Sequence, residues 1–186
     1  MGCHQHCASQ DARGVTSRRS FVAGLASTAI VPGAALAQLA GPGSDADVRF
    51  MRMAIEEARL GDFPFGAVIV RDGAVIARGR NLGRTNGDPT AHGEMVAIRR
   101  GLADHGPAAL RGSTLYTSGE SCAMCMGAIL WCHMGRLVFA ASIAQLATKI
   151  DQIMLTDAEI AAKATFAPIA ITGGVLADEA MALFTK

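Results

Sequence analysis

The chain has 186 residues, 51% of them hydrophobic and 18% charged, and a formal net charge of +1. That composition excludes disorder as the main state and leaves room for one domain with a sizeable core, not two ordinary ones. The near-neutral balance argues against a strong polyanion-binding surface, the 5% aromatic content against rows of base-stacking rings, and five unevenly spaced cysteines against a disulfide framework.

Thr16-Ser17-Arg18-Arg19-Ser20-Phe21-Val22 sets an arginine pair ahead of an apolar run that carries no charge from Ser20 to Ser44. The run closes on Ala35-Leu36-Ala37, a small-x-small cleavage site. This layout predicts a twin-arginine signal peptide over residues 1–37 and an exported, periplasmic domain over residues 38–186, with no membrane association after cleavage. Two alternatives stand beside it: an N-terminal membrane anchor, since Phe21 to Ala40 is about long enough to span a bilayer, and a cytoplasmic protein whose leader is not used. Gly24, Pro32 and Gly33 weaken the anchor reading. Cys3-His4-Gln5-His6-Cys7 is crowded within one turn inside the segment to be discarded, and is read as carrying no functional metal site. Loss of residues 1–37 removes Arg13, Arg18, Arg19 and Asp11, which leaves 14 basic and 15 acidic side chains and a net charge of −1.

Ser44-Asp45-Ala46-Asp47 reads as a capping box with Asp in place of Glu, opening an amphipathic helix through Arg59. Its buried face is Phe50, Met51, Ala54, Ile55 and Ala58, and Gly61 stops it. Gly66 to Val70 is a buried strand; Asp72-Gly73 is a hairpin turn, with Ala74 to Arg78 returning antiparallel. Asn81 to Pro89 is a polar loop. Thr90 is expected to cap a helix over about Ala91 to Ala103, broken at Gly106-Pro107. Thr114 to Thr117 is a third strand, and Ser121 is expected to cap a helix from about Cys122 to Cys132. Arg136 to Ala141 is a fourth strand, Thr156-Asp157-Ala158-Glu159 opens a short helix, Ile169 to Thr172 is a fifth strand, and a last helix ends near Phe184. A hairpin followed by βαβ units predicts an α/β fold, with a mixed five-stranded sheet covered by helices on both faces.

The chemistry concentrates in Ala91-His92-Gly93-Glu94 and, thirty positions after the histidine, Cys122-Ala123-Met124-Cys125. Cysteines at i and i+3 on a helix project to one side and can hold one ion. In a first helical turn the backbone N–H groups and dipole favour thiolate. His92 is also expected in a first turn, so two helix starts can aim at one ion. One nitrogen and two sulfurs leave a fourth tetrahedral position for water, the layout of catalytic zinc. Two residues apart on a helix is not one face, so Glu94 reaches the metal only if its long side chain extends forward past the helix end. Cys132 and His133 lie about 10 Å away by helical rise and are rejected as fourth ligands.

At these residues the chain resembles the cytidine deaminase superfamily of zinc-dependent deaminases, whose pattern is H-x-E followed by P-C-x-x-C. The resemblance covers nearly all of residues 44–186. Pro64 to Val70, Asn81, Asp88 to Glu94 and Cys125-Met126-Gly127-Ala128-Ile129 look like the branch of bacterial guanine deaminases and tRNA adenosine deaminases. Two departures stand out: Ser121 where the family usually has proline, and Gly93 where alanine is usual. The resemblance implies a three-layer α/β/α sandwich in which His92, Cys122 and Cys125 hold Zn²⁺ and a water. It further implies that Glu94 moves protons from that water to the ring nitrogen and the leaving amino group, and that Asn81 hydrogen-bonds the substrate. Asn81 also reads as a loop asparagine serving a turn. Family members are commonly dimers, so a homodimer is expected.

Phe65 can stack on a base or sit in the core. Trp131 is read as core, and Met51, Met53, Met124, Met126 and Met134 as packing residues. Asp151 reads as a surface aspartate, with the reading of a guanine-like edge as its functional alternative. Arg99-Arg100 is two solvated helix charges. The expected activity is hydrolytic deamination of a free nucleobase or nucleoside, a guanine-like purine by preference, with release of ammonia. A tRNA adenosine deaminase and a zinc-binding protein without catalysis are the alternatives. The mature charge of −1 and only three lysines in the chain weigh against tRNA. For the leader, N-terminal sequencing of the exported protein is expected to begin near Gln38; a start elsewhere removes the cleavage reading.

Overall fold

The computed structural model describes Gln38–Leu39 and residues 43–184; the expected leader and the Cys/His cluster at 3–7 lie outside the described residues. The first helix, α1 (Asp45–Arg59), starts at Ser44, whose side chain accepts the Asp47 N–H while the Asp47 carboxylate accepts the Ser44 N–H, the reciprocal box expected. Its buried apolar face is the one read from the sequence: Phe50, Met51, Ala54, Ile55 and Ala58. Strands β2 (Gly66–Arg71) and β3 (Ala74–Arg80) form the hairpin. Asp72 and Gly73 both hold positive φ (50° and 77°), the pair that a tight hairpin turn requires.

Helix α3 (Gly93–His105) comes next, preceded by a short turn of helix α2 (Gly83–Asn86) and succeeded by another, α4 (Pro107–Leu110). Then come β4 (Thr114–Gly119), α5 (Ala123–Trp131) and β5 (Arg136–Ala141). Helices α6 (Ile143–Leu146) and α7 (Asp157–Ala161), strand β6 (Ala170–Thr172) and helix α8 (Ala177–Met181) complete the order. The sheet runs β1-β6-β5-β4-β2-β3, where β1 is the two-residue strand Gln38–Leu39. The hairpin and β2–β4 pairings are antiparallel; β4–β5, β5–β6 and β6–β1 are parallel. The five expected strands are therefore present in one mixed sheet, and β1, too short to leave a pattern in the sequence, extends its edge.

Alternation along the strands divides the core into two. Ala67, Ile69, Leu115, Leu137 and Ile171 face Ala97 and Ile98 of α3, Met126, Ile129 and Leu130 of α5 and Ala161 of α7. Val68, Val70, Tyr116, Val138 and Ala140 face α1, Leu146 of α6 and Ala180 of α8. This is the three-layer arrangement that the hairpin and βαβ order predicts. Among the described residues no helix is long and apolar enough to cross a membrane.

One polar cluster ties the α1 layer to the sheet. Asp47 is 1% exposed, and its Oδ1 accepts from Arg136 Nη1 (2.7 Å) and the Tyr116 hydroxyl (2.9 Å). Its Oδ2 accepts from Arg136 Nη2 (3.0 Å) and the Ser44 N–H (2.8 Å), and Arg136 Nη2 also donates to Thr172 Oγ1 (2.9 Å). Burial alone would raise the Asp47 carboxyl, but the bonds from Arg136, Ser44 and Tyr116 outweigh it and hold the carboxyl well below the usual carboxylate range. A depressed folded-state pKa gives stability that is present above the unfolded value of about 4 and lost as pH falls below it. Asp47→Ala is expected to cost on the order of 3 kcal/mol at pH 7, since it leaves Arg136 without its partner. The deficit against the parent chain should shrink as the pH drops from 5 towards 3, as read by urea unfolding of both proteins at each pH.

Candidate functional site

The site lies beyond the carboxyl ends of the parallel strands β4 and β5, where an open α/β sheet places its crevice. Two helices begin there. His92 is the N-cap of α3 (φ −65°, ψ 160°) and Cys122 the N-cap of α5 (φ −69°, ψ 165°), and neither side chain makes a capping hydrogen bond. Helix α3 thus starts two residues later, and α5 one residue later, than the sequence alone suggests. Thr90 is no cap: its N–H and hydroxyl both donate to Asp88 Oδ1 (2.8 and 2.6 Å), closing a turn ahead of the helix. Ser121 is no cap either, because Cys122 takes that position. The cap position also resolves the spacing of His92 and Glu94. His92 stands outside the helix and Glu94 in its first turn, so the one-face rule for helical residues does not separate them.

Close backbone contact seats these helix starts. A Cβ at Gly79 of β3 would strike Gly93 O and Ala97 N of α3, and a Cβ at Gly93 would lie 2.9 Å from Phe65 O. The glycine at 93, which costs about 1 kcal/mol of helix propensity relative to alanine, lets the start of α3 settle against β2.

His92 Nδ1 lies 3.6 Å from Cys122 Sγ and 3.6 Å from Cys125 Sγ, and the two sulfurs are 3.7 Å apart. Bonds of about 2.3 Å to sulfur and about 2.0–2.1 Å to nitrogen at a tetrahedral angle require about 3.8 Å between sulfurs and about 3.6 Å between nitrogen and sulfur. The donor set therefore fits a zinc ion in type, number and spacing. These three residues are also the cluster able to hold a metal among the described residues. The three donors are electrostatically coupled to one another. Cys122 is drawn down to about 4, first by its sulfur–sulfur contact with Cys125 and then by His92, against the opposing effect of burial. Cys125 is pushed up, first by the same contact and then by burial. His92 is raised, chiefly by its contact with Cys122.

Glu94 is 4% exposed, and burial pushes its carboxyl above the usual range. With His92 and Cys122 it lines a cavity of about 710 Å³, within the span of roughly 300–1,000 Å³ typical of small-molecule sites. Asn81 and Phe65 line the same cavity. The Asn81 N–H donates to Phe65 O (2.9 Å), and Asn81 Oδ1 accepts the Gly83 N–H (3.1 Å). Asn81 therefore does serve a turn, and that bond occupies its oxygen while the amide NH₂ donors remain for a ligand. Phe65 packs edge-on against Phe184, with ring centroids 5.4 Å apart, so it is both wall and core.

Several residues stand differently from their sequence readings. Trp131 is not core: it is 72% exposed and stacks on Phe166 at 4.5 Å, away from the cavity. Helix α5 is apolar on every side, so its periodicity cannot say which face turns inward. Met51, Met126 and Met134 are buried as expected, but Met124 is 36% exposed and lines the cavity. Asp151 is exposed at the cavity wall, beside Ile150, Gln152 and Ile153. Arg99 pairs with Asp88 (3.2 Å) on the surface. Glu120 and Arg84 also line the cavity, and the sequence reading does not single them out. The position of Glu120, two residues before Cys122, is the one signal that could have found it.

The family model described as "Cytidine and deoxycytidylate deaminase zinc-binding region" matches residues 44–141. Over 78 residues the chain is 51% identical to the guanine deaminase of Bacillus subtilis, covering 42% of this chain and 50% of that one. Over 104 residues it is 45% identical to the tRNA-specific adenosine deaminase of Haemophilus influenzae, covering 53% and 60%. The chain thus spans about half to three fifths of the length of these curated relatives. The solved guanine deaminase of Nitrosomonas europaea superposes with a TM-score of 0.66 at 25% identity, covering 79% of this chain and 84% of that one.

Proposed function

Because the chain belongs to the family that carries the cytidine and deoxycytidylate deaminase zinc-binding region, we propose that it hydrolytically deaminates a free nucleobase or nucleoside, a guanine-like purine by preference, and releases ammonia. One observation carries this reading: a zinc-spaced triangle of His92 Nδ1, Cys122 Sγ and Cys125 Sγ beside a buried carboxyl, on the wall of one small-molecule cavity.

His92, Cys122 and Cys125 hold the zinc. When bound, zinc supplies Lewis acidity that makes hydroxide available at a pH of roughly 7. Glu94 carries the protons. It accepts one from the attacking water and delivers it to the ring nitrogen beside the amino-bearing carbon, then takes a second from the hydroxyl that addition leaves on that carbon and gives it to the departing amino group, so that ammonia leaves and a carbonyl forms. Its upward shift suits the task, because a carboxyl that titrates nearer the working pH gives up a proton as readily as it takes one. The NH₂ of Asn81 donates to an acceptor on the base, and Phe65 forms an apolar wall against the ring. Asp151, exposed on the cavity wall, supports the guanine-like preference, since a carboxylate accepts from N1–H and the 2-amino group of such an edge.

A second reading, deamination of adenosine in tRNA, draws on the likeness to the Haemophilus protein. Against it stand the net charge of −1 over residues 38–186 and the three lysines of the chain, since phosphate neutralisation needs basic groups. An ammonia-release screen of zinc-loaded protein against guanine, adenine, cytosine, their nucleosides and triazine analogues is expected to give turnover with guanine or a close relative. Turnover confined to tRNA, with salt-dependent retention of the protein on tRNA, favours the second reading. Zinc binding without ammonia from any substrate overturns both. Glu94→Gln is expected to lower turnover by at least about 10²–10⁴-fold while one equivalent of zinc stays bound; retained activity in that variant rejects the role given to Glu94.

A further inference from the structure

The segment Glu120-Ser121-Cys122, which carries the chain from β4 into α5, is held from the far side by two elements beyond the family-matched residues 44–141. Glu120 Oε2 accepts the Ile143 N–H at the start of α6 (2.8 Å), and its Oε1 accepts the Asp157 N–H at the start of α7 (3.0 Å). Asp157 returns the bond: its Oδ2 accepts the Ser121 N–H (3.1 Å). All three residues are buried, with Ser121 and Asp157 at 0% exposure. Two segments some 36 residues apart thus satisfy each other's backbone N–H groups with their carboxylates, as a capping box does within one helix.

The direction of this clamp matters because the residue after Ser121 is a metal ligand. Cys122 is the N-cap of α5, and its side chain makes no capping bond to fix it. Its Sγ is one corner of the metal triangle. A backbone N–H held one residue earlier sets the path of the chain into Cys122, and so the direction of that sulfur. A second observation points the same way. Ser121 Oγ and Asp157 Oδ1, both in this clamp, are buried side-chain oxygens outside its hydrogen bonds, and the Ser121 hydroxyl faces the Glu94 carboxyl. A contact serving packing alone would be better filled by apolar groups than by such polar atoms.

We infer that Asp157 is a positioning residue for the metal ligand Cys122, acting through the backbone N–H of Ser121. The inference rests on the zinc-centre reading above and deepens it by giving α7 a part in the site. Outer partners of metal ligands typically govern 10–100-fold of metal affinity, and here the partner acts on the backbone beside the ligand.

The test uses the full chain loaded with cobalt(II) or zinc(II). The parent chain is expected to bind one equivalent of cobalt with thiolate-to-cobalt charge-transfer absorption; absence of that band overturns the zinc-centre reading and the inference with it. Given the band, zinc affinity is measured by competition with a chromophoric chelator, alongside thermal unfolding of the metal-free proteins. Asp157→Ala is expected to weaken zinc binding by about 10–100-fold and to shift the cobalt band. Asp157→Asn keeps an acceptor oxygen and is expected to stay close to the parent. Ser121→Pro removes the N–H donor but puts in the family's own residue, whose ring fixes the same stretch of backbone, so it should bind zinc about as the parent does and make Asp157 dispensable: Asp157→Ala in that background is expected to cost no further zinc affinity. Three outcomes each overturn the assignment while leaving the zinc centre intact: Asp157→Ala lowers only the metal-free unfolding temperature, Asp157→Asn is as damaging as Asp157→Ala, or Asp157→Ala weakens zinc as much in the Ser121→Pro background as in the parent. Where Asp157→Ala does not fold, Asp157→Leu, which keeps the volume and lacks the acceptor, replaces it in every comparison.

Discussion

An imidazole nitrogen and two sulfurs 3.6–3.7 Å apart, drawn from two helices thirty residues distant in sequence, set the tightest geometric demand on this chain. To meet it, α3 and α5 must be fixed against the sheet to within a fraction of an ångström. The fold does this with backbone as much as with side chains. Gly79 and Gly93 let α3 lie against β3 and the start of β2 at a distance that no Cβ permits, and β4 delivers Cys122 directly from its carboxyl end. The apolar residues of α3, α5 and α7 then share one side of the sheet, so that burial of a common core and alignment of the donor atoms are the same event.

Two buried acids show how partners decide what a carboxyl does. Asp47 meets a guanidinium, a hydroxyl and a backbone N–H, and stays ionised far below the usual range. Glu94 is as deeply buried but has no cation bonded to it among the described residues, and burial raises it. One holds layers together; the other keeps its proton within reach of exchange. Asp157 belongs with Glu94 in this respect: burial pushes its carboxyl up to about 8.

Where a short-range rule acts alone, the sequence is a sufficient guide. The boxes at Ser44 and Thr156, the Asp72-Gly73 turn, the apolar face of α1 and the span Arg136–Ala141 of β5 all come from local chemistry. The donors His92, Cys122 and Cys125 are legible because metal ligation restricts residue type and spacing together. What escapes depends on tertiary contact. Thr90 and Ser121 have the chemistry of caps, yet Asp88 claims the first and Cys122 displaces the second. Trp131 sits in a helix whose sequence is apolar all round, so only the packing of the sheet and α7 reveals which side is left outside. The short helices α2, α4 and α6 are single turns in loops, too brief for any periodicity to register.

That outward tryptophan has a practical side. It is the only one in the chain, and it ends the nine-residue helix whose other end carries the two thiols. Its stacked neighbour, Phe166, belongs to the segment between α7 and β6. The indole emission of this molecule therefore comes from a single known place, at the junction of the ligand-bearing helix and the C-terminal segment. Rearrangement there would be read optically, in unlabelled protein, without interference from any second fluorophore of its kind.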